Sequence, residues 1–269
     1  MEKTKLICCD IDDTLLAKDK SLPEVNCQAI RKVVLEEKIP FVIVSGRNVP
    51  SVKDFMNQIG IKGVVPSLGG CYIEDWDGNP IEEHNIDKVV ALEIFELAKA
   101  MDCIIFAYDR KDWFVEPGHD AWTNYEAYAL RIPAVITNIP NLFKTLNPNK
   151  VLGVSSETEK VKALMEEVNK RYNGIVKAFL SSPNYLEIVP YGINKGTAID
   201  ALCRYYGIKK DNVMVIGDYY NDIDMFKVAG ISVAVNNAPE DIKALATYVT
   251  DADCTHGAVA EAIQRFVVR

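Results

Sequence analysis

The stretch LICCDIDDTLL, residues 6–16, decides the fold class of this chain. It opens with a continuous apolar run, which is typical of a strand buried on both faces of a parallel sheet. The run ends in three acidic residues within four positions, Asp10, Asp12 and Asp13. Like charges this close together repel each other, so the cluster needs a positively charged partner. The stretch therefore predicts a buried strand with a functional group of carboxylates at its end.

The composition limits the classes of partner. The chain has 269 residues, 49% hydrophobic and 25% charged, which is ordinary globular composition with ample material for a core. A formal net charge of −8 disfavours nucleic acid and anionic membranes as main partners, but leaves small anions possible. Seven scattered cysteines without a CxxC pair disfavour disulfides and structural zinc. With no signal peptide and no apolar run of roughly 18 residues, we predict a cytoplasmic protein.

Apolar runs alternate with helical patterns along the N-terminal part of the chain. PFVIVSG (40–46) predicts a second buried strand, and GVVPSLGG (63–70) predicts a third. The apolar spacing of PEVNCQAIRKVVLEEK (23–38) and VPSVKDFMNQIG (49–60) predicts a helix in each connection. Strands connected by helices of this length indicate parallel βαβ units.

The pattern then changes over the middle of the chain. CYIEDWDGNPIEEH (71–84) predicts a hairpin with its turn at Asp77–Gly78. Helices and short strands follow, before the first pattern resumes. We therefore predict an α/β fold, a doubly wound Rossmann-like core with a parallel sheet, formed by residues 1–81 and 186–269. An α/β domain at 82–185 is inserted into this core.

Four polar clusters fall at predicted strand ends or helix starts of the core. They are, in chain order, Asp10 with Asp12, Ser45 with Gly46, Lys195, and Asp218 with Asn221 and Asp222. Ligands of open parallel sheets bind at the carboxyl ends of the strands, so we expect these groups to converge. Concentrated carboxylates with one lysine suit a hard divalent cation, and Mg²⁺ typically binds through a few carboxylates plus substrate phosphate oxygens.

These motifs, taken in order, resemble those of a known superfamily. DxDxT (10–14), the strand-terminal Ser-Gly, the lysine that opens a helix and GDxxND (217–222) resemble the haloacid dehalogenase superfamily of phosphatases. The motif spacing and the segments LEIVPYGINKGTAI and NNAPEDIKALATYVTD are similar to its Cof-like subgroup, which carries a large α/β cap. The resemblance covers nearly the whole chain. It implies that the insert is a cap that selects substrates.

The resemblance also implies a role for each site residue. Asp10 is expected to be the nucleophile that forms an aspartyl phosphate, and Asp12 the general acid and base. For Mg²⁺, the implied ligands are the side chains of Asp10 and Asp218 and the backbone carbonyl of Asp12. For the phosphoryl oxygens, they are Ser45, the Gly46 amide, Lys195 and Asn221. Asp222 either supports the metal site or acts as a carboxylate at a helix N-terminus. Phosphoryl transfer requires mainly positioning and charge neutralisation, which such a set of residues provides.

The predicted function is a Mg²⁺-dependent phosphatase of small phosphomonoesters such as sugar phosphates. A phosphosugar mutase is less favoured, because only 34 residues lie between Asp10 and Ser45, where a mutase usually carries its cap. A regulator that binds a phosphometabolite without hydrolysing it is the other alternative, which the presence of Asp10 and Asp12 disfavours. The sequence predicts neither the physiological substrate nor the oligomeric state.

Several residues beside these motifs have structural interpretations. Asp13 is interpreted as a turn carboxylate, and Arg47 as a residue that fixes its loop rather than binding phosphate. The role of Tyr219, next to the predicted metal ligand, is left open. For the aromatic residues of the insert, core packing is favoured over substrate stacking; these residues are Trp113, Phe114, Trp122, Tyr125 and Tyr128.

Overall fold

The structure is a computed structural model that describes residues 4–267. Its strands are β1 (Leu6–Cys9), β2 (Phe41–Ile43), β3 (Val65–Ser67), β4 (Tyr72–Glu74), β5 (Pro80–Glu83), β6 (Ile104–Tyr108), β7 (Trp113–Val115), β8 (Val135–Ile136), β9 (Lys150–Val154), β10 (Val176–Ser182), β11 (Tyr185–Pro190), β12 (Val213–Gly217), β13 (Ile231–Ala234) and β14 (Tyr248–Val249). Its helices are α1 (Glu24–Leu35), α2 (Val49–Ile59), α3 (Lys88–Ala100), α4 (Asp120–Leu130), α5 (Ile139–Leu142), α6 (Thr158–Arg171), α7 (Lys195–Tyr206), α8 (Ile223–Val228), α9 (Glu240–Lys243) and α10 (Ala258–Phe266). Among these described elements, no helix is both long and apolar enough to cross a membrane.

The chain divides into two compact units. The first comprises the described parts of Met1–Gly46, Val52–Ile81 and Asn194–Arg269, and the second comprises Arg47–Ser51 and Glu82–Ile193. The sequence prediction returned the chain to the core at residue 186. Strand β11 instead pairs with β9 and β10 inside the second unit, so the chain returns to the first unit only after this strand.

The first unit is built on a five-stranded parallel sheet in the order β14-β13-β12-β1-β2. Strands β1, β2, β12 and β13 are buried at every position, as their continuous apolar runs predict. Helix α7 packs its apolar stripe, including Ile199 and Leu202, against Leu6 and Cys8 of β1 in one core cluster. The predicted α/β fold with a parallel-sheet core is therefore confirmed.

Strand β3 differs from the sequence prediction, which made it part of a parallel βαβ series. It pairs antiparallel with β4, and together with β5 the two form a separate three-stranded sheet. The predicted hairpin turn is present, with Gly78 in a left-handed conformation (φ 92°) and its N–H donating to the Asp75 carbonyl at 3.2 Å. A three-residue strand, Val-Pro-Ser, offers too few positions to distinguish the two kinds of pairing.

The second unit contains a six-stranded sheet in the order β10-β11-β9-β6-β7-β8. All its neighbouring strands are antiparallel except β7 and β8. Helices α3 and α6 cover one face, where Ile94 and Leu164 pack with Ala107, Val151 and Ile188 of the strands. This core is separate from that of the first unit, as an inserted α/β domain predicts.

The aromatic residues of the second unit occupy two kinds of environment. Trp113 is fully buried, with its ring centroid 5.3 Å from that of Phe106 and 6.2 Å from that of Tyr108. Its indole N–H donates to the Ile132 carbonyl at 3.1 Å. Trp113 therefore packs in the core, which is the interpretation that the sequence favoured. Tyr125 of α4 is instead 57% exposed.

Candidate active site

Three strands of the parallel sheet end at one edge, and each is followed by a predicted site residue. Asp10 follows β1 directly, Ser45 follows β2 after one residue, and Asp218 follows β12 directly. Strand β1 lies between β2 and β12 and is parallel to both, so the three carboxyl ends are adjacent. This is the edge at which sheets of this type bind ligands.

Lys195 connects two of the carboxylates. It is the first residue of α7, which begins with a capping box formed by Asn194 and Thr197. The Lys195 Nζ lies 2.5 Å from Asp10 Oδ1 and 2.6 Å from Asp222 Oδ1, and its side chain is only 2% exposed. A positive charge is disfavoured at a helix N-terminus, so the two carboxylates must stabilise it there.

Asp222 organises the loop that follows β12. It lies in a short 3₁₀ turn and is fully buried, and its Oδ2 accepts the backbone N–H groups of Asp218 at 2.8 Å and Tyr219 at 3.2 Å. Its other oxygen binds Lys195. A Cβ added at Gly217 would collide with Asp222 Oδ2, so only glycine permits this approach. The bond to the Tyr219 N–H is that of a carboxylate at a helix N-terminus, one of the two roles considered for Asp222, and its support of a metal site stays a prediction.

Thr14 belongs to the same cluster, although the sequence reasoning gave it no role. Its hydroxyl donates to Asp218 Oδ1 at 2.9 Å, and both residues are buried. This bond holds the Asp218 carboxylate in one orientation. The signal that could have identified Thr14 was its place as the last residue of the DxDxT motif.

The buried cluster carries more negative than positive charge. Asp10, Asp218 and Asp222 each place a carboxylate oxygen within 4.8 Å of the others, with one ammonium group beside them. Burial raises the pKa of Asp10 to about 7, against the opposing effect of Lys195. Burial and the charges of Asp10 and Asp222 raise the pKa of Asp218 to about 8. A divalent cation would neutralise this excess charge, and an all-oxygen set of donors fits Mg²⁺.

Two of the three carboxylates are suited to bind such a cation directly. Asp10 and Asp218 each have one oxygen engaged, by Lys195 and Thr14 respectively. Both oxygens of Asp222 are already bound, by Lys195 and by backbone N–H groups. Asp10 and Asp218 are therefore the side chains that would hold the metal.

The carboxylate of Asp12 is not one of the three that approach within 4.8 Å of one another in this cluster. Its Oδ1 is 3.2 Å from Lys20 Nζ, which also lies 3.4 Å from Asp13 Oδ1, and all three side chains are partly exposed. Asp13 has a left-handed backbone (φ 56°), and its carbonyl accepts a hydrogen bond from Asn237 Nδ2 at 2.7 Å. The turn interpretation of Asp13 fits this geometry. Lys20 was not predicted, because it lies in a loop with no periodic pattern.

The remaining predicted site residues lie beside these groups. Ser45 is buried, Gly46 follows it, and the Ser45 carbonyl accepts the N–H of Gly69 at 2.8 Å. Gly69 is left-handed (φ 69°), and an added Cβ would meet no atom within 4 Å. Asn221 lies next to Asp222 in the 3₁₀ turn, and its Oδ1 is buried without a hydrogen-bond partner among the described residues. A buried amide oxygen of this kind calls for a ligand or a water molecule.

Arg47, which follows Gly46, is buried and makes structural contacts. Its guanidinium donates to the Ala129 carbonyl at the end of α4 and to the Ser51 hydroxyl at 3.3 Å. These bonds fix the backbone around it, as the sequence interpretation of Arg47 expects.

The chain is similar to known proteins over nearly its full length. A solved haloacid dehalogenase-like hydrolase from Bacteroides thetaiotaomicron matches with a TM-score of 0.89 and 31% identity, covering 98% of this chain and 99% of that one. The 5-amino-6-(5-phospho-D-ribitylamino)uracil phosphatase YcsE of Bacillus subtilis is 27% identical over 98% of this chain and 96% of its own length. The HMP-PP phosphatase of Serratia proteamaculans is 25% identical, with coverage of 98% and 95%.

The matches also define the family. The chloroplastic endoribonuclease YBEY of Arabidopsis thaliana is 28% identical over 98% of this chain, but the chain spans only 47% of that protein's length. The family model of the haloacid dehalogenase-like hydrolases matches residues 7–263, which include both units and every residue of the cluster around Asp10. By this match and by its fold, the chain belongs to the haloacid dehalogenase-like hydrolases.

Proposed function

We propose that this protein is a Mg²⁺-dependent phosphatase that hydrolyses small phosphomonoesters, such as sugar phosphates, through an aspartyl-phosphate intermediate. The observation that carries the proposal is the buried contact of Lys195 with Asp10, with Asp218 beside them. The broader class, a phosphoric monoester hydrolase, is confirmed by the family and by the relatives named as phosphatases.

Asp10 is the proposed nucleophile. Its Oδ1 contacts Lys195 and keeps a lone pair for Mg²⁺, which leaves Oδ2 to attack phosphorus. The new P–O bond forms as the ester P–O bond breaks, and Asp12 donates the proton that the leaving oxygen takes up. Water then attacks the same phosphorus, gives its proton to Asp12, and the bond to Asp10 breaks to release phosphate. In this scheme Asp12 must leave Lys20, and its partly exposed ion pair is weak enough to allow this.

The proposed ligands of the phosphoryl oxygens are Lys195, Ser45, the Gly46 amide and Asn221. An ammonium group has three donors, and two of those on Lys195 are engaged by Asp10 and Asp222. The third can bind a phosphoryl oxygen. Mg²⁺, held by Asp10, Asp218 and the backbone carbonyl of Asp12, would supply further positive charge for the phosphoryl oxygens.

The setting of the enzyme is also part of the proposal. All seven cysteines are free thiols, which suits a reducing compartment and supports a cytoplasmic location. We assign to the second unit the role of selecting among small-molecule substrates. A non-hydrolytic regulator and a phosphosugar mutase are the rival functions, and both predict no steady release of phosphate.

The test is phosphate release from p-nitrophenyl phosphate and from a panel of sugar phosphates. We expect turnover with Mg²⁺ and none in excess EDTA. Asp10→Asn and Asp218→Ala should each abolish turnover at every Mg²⁺ concentration. The matched control is Asp224→Ala in α8, which removes a carboxylate that pairs with Lys227 on the surface and should leave turnover unchanged. Full turnover in EDTA, or in the Asp218→Ala protein, would contradict the proposal.

A further inference from the structure

The two faces of the six-stranded sheet differ in chemistry. Alternate residues of its strands, such as Leu186 and Ile188 of β11, belong to the apolar core under α3 and α6. Side chains alternate between the faces of a strand, so Tyr185 and Glu187 of the same strand lie on the opposite face. That face also carries Lys150 of β9, and it therefore holds several polar side chains in the second unit.

Helix α4 contacts this polar face through a buried carboxylate. Glu126 is 8% exposed, and its Oε1 accepts a hydrogen bond from the Tyr108 hydroxyl at 2.7 Å. Lys150 Nζ lies 3.0 Å from Glu187 Oε2 and 4.5 Å from the centroid of the Tyr108 ring. Lys150 thus neutralises Glu187, whereas burial raises the pKa of Glu126 despite its hydrogen bond from Tyr108 and the charge of Lys150. A carboxylate has about four acceptor positions, so Glu126 retains capacity for a further donor.

Tyr185 lies beside this carboxylate with an unused hydroxyl. Its phenol oxygen is buried and has no hydrogen-bond partner among residues 4–267. Its ring centroid is 5.7 Å from that of Trp122 and 6.3 Å from that of Tyr125, both on α4. Burial raises the pKa of Tyr185, and the charge of Glu126 raises it further, so the phenol stays protonated and able to donate. A buried hydroxyl without a partner loses free energy unless a ligand or water completes it.

The missing partner can be described by its chemistry. It must accept a hydrogen bond from Tyr185 and donate one to Glu126, which a single hydroxyl group can do and an ammonium group cannot. The carboxylate of Glu187 is paired with Lys150, and that of Glu126 already accepts the Tyr108 hydrogen bond, which favours a neutral group as a further partner. The rings of Trp122 and Tyr125 offer apolar surface to the carbon skeleton that carries the hydroxyl.

We propose that Tyr185 and Glu126 bind a hydroxyl group of a neutral polyol, with Trp122 and Tyr125 packing against its carbon atoms. Tyr185 and Glu126 thereby become residues that determine specificity. The inference rests on the proposed function in one respect, the use of sugar phosphates as the polyols that test it.

The test deletes one oxygen atom. Tyr185→Phe keeps the ring and removes only the hydroxyl, and Tyr191→Phe makes the same change at an exposed position of the same unit. Binding of glucose 6-phosphate, ribose 5-phosphate, glycerol 3-phosphate and p-nitrophenyl phosphate is measured by calorimetry in the Asp10→Asn protein, which cannot turn them over. The measured quantity is the ratio of the affinity for the sugar phosphate that binds best to the affinity for p-nitrophenyl phosphate. We expect Tyr185→Phe to lower this ratio by roughly two- to tenfold. Tyr191→Phe should leave this ratio unchanged.

The outcomes separate this inference from the proposed function. An unchanged ratio in the Tyr185→Phe protein, as expected if the phenol binds only a buried water, would overturn the inference. So would the absence of measurable sugar phosphate binding. A second variant, Trp122→Leu, removes the ring proposed to pack against the polyol and should lower the same ratio. It replaces the first test if the Tyr185→Phe protein does not fold. The proposed function fails separately, if the unmodified enzyme with Mg²⁺ releases no phosphate from any ester.

Discussion

Replacement of Lys195 by methionine is the sharpest test of the site, because it removes one charge and keeps a similar volume. The ammonium lies within 2.6 Å of Asp10 Oδ1 and Asp222 Oδ1, and its side chain is 2% exposed. Without it, two buried carboxylates lose their cation. Removing one partner of a buried ion pair destabilises a protein by about 3–5 kcal/mol.

The chain offers a matched control at nearly the same distance. Lys210 Nζ lies 2.5 Å from Asp200 Oδ1, but those side chains are 46% and 33% exposed. Exposed pairs contribute about 0–1 kcal/mol, so Lys210→Met should cost no more than that. The two lysines differ in burial and also in partners, because Lys195 contacts two buried carboxylates whereas Lys210 contacts only that of Asp200 among the described residues. We therefore expect their losses in unfolding free energy to differ by about 3 kcal/mol.

Urea unfolding in EDTA at pH 8 measures both losses, and phosphate release with Mg²⁺ measures function. Lys195→Met should have no detectable turnover, whereas Lys210→Met should retain that of the parent. Adding Asp222→Asn to Lys195→Met should recover part of the lost stability, because it removes one of the uncompensated charges. Equal losses for the two lysine variants, or turnover of Lys195→Met within tenfold of the parent, would refute the reasoning.

Three further predictions concern Asp12 as the proposed acid–base residue, the pH dependence of stability, and the second unit. With p-nitrophenyl phosphate, the Asp12→Asn protein should release a burst of nitrophenolate and then turn over roughly a hundred- to ten-thousandfold more slowly than the parent. Sugar phosphates should not react. Steady turnover of p-nitrophenyl phosphate and of sugar phosphates would contradict the proposed role of Asp12. In EDTA, the free energy of unfolding measured with urea should fall as pH rises from about 4 to 8. The reason is that the pKa values of Asp10 and Asp218 in the folded state, about 7 and 8, lie above the ordinary value of 3.8. The folded state therefore binds more protons than the unfolded state over this range, and it loses that advantage as the protons leave. A flat or rising profile is the contrary result. Trp113→Ala should cost about 3–5 kcal/mol in urea unfolding and Tyr125→Ala under about 0.5, and equal losses would show that burial does not distinguish them.

Much of the fold was predictable from the local pattern of apolar residues, and the errors of the prediction have a common cause. The parallel core followed from continuous apolar runs, since strands buried on both faces need no alternation. The pairing partner of a short strand is a non-local property. The run Val65–Ser67 has the same character in either sheet, and so does Tyr185–Pro190, of which residues 186–190 were placed on the wrong side of the unit boundary.

The site was predictable where chain topology determines position. Asp10 and Asp218 follow adjacent parallel strands, so knowledge of the fold was enough to bring them together. The contact of Lys20 with Asp12 depends on the left-handed backbone of Lys20 itself (φ 63°). Lys20 lies in a loop, and no periodic pattern in the sequence predicts such a conformation. The unpartnered hydroxyl of Tyr185 depends on how α4 packs on a sheet face. The roles assigned to these residues remain predictions.

Two glycines near the proposed phosphate ligands, Gly217 and Gly69, differ in how many substitutions their surroundings permit. Gly217 has no space for a Cβ because Asp222 approaches its backbone, so every substitution there disturbs the hydrogen bonds that hold Asp222. Gly69, whose N–H binds the Ser45 carbonyl, faces open space, and asparagine or aspartate tolerates its left-handed backbone. In a library of single substitutions, position 217 should be invariant among active clones, whereas position 69 should accept asparagine. A substitution at position 69 can therefore place a new side chain beside Ser45 and leave the carboxylate cluster intact.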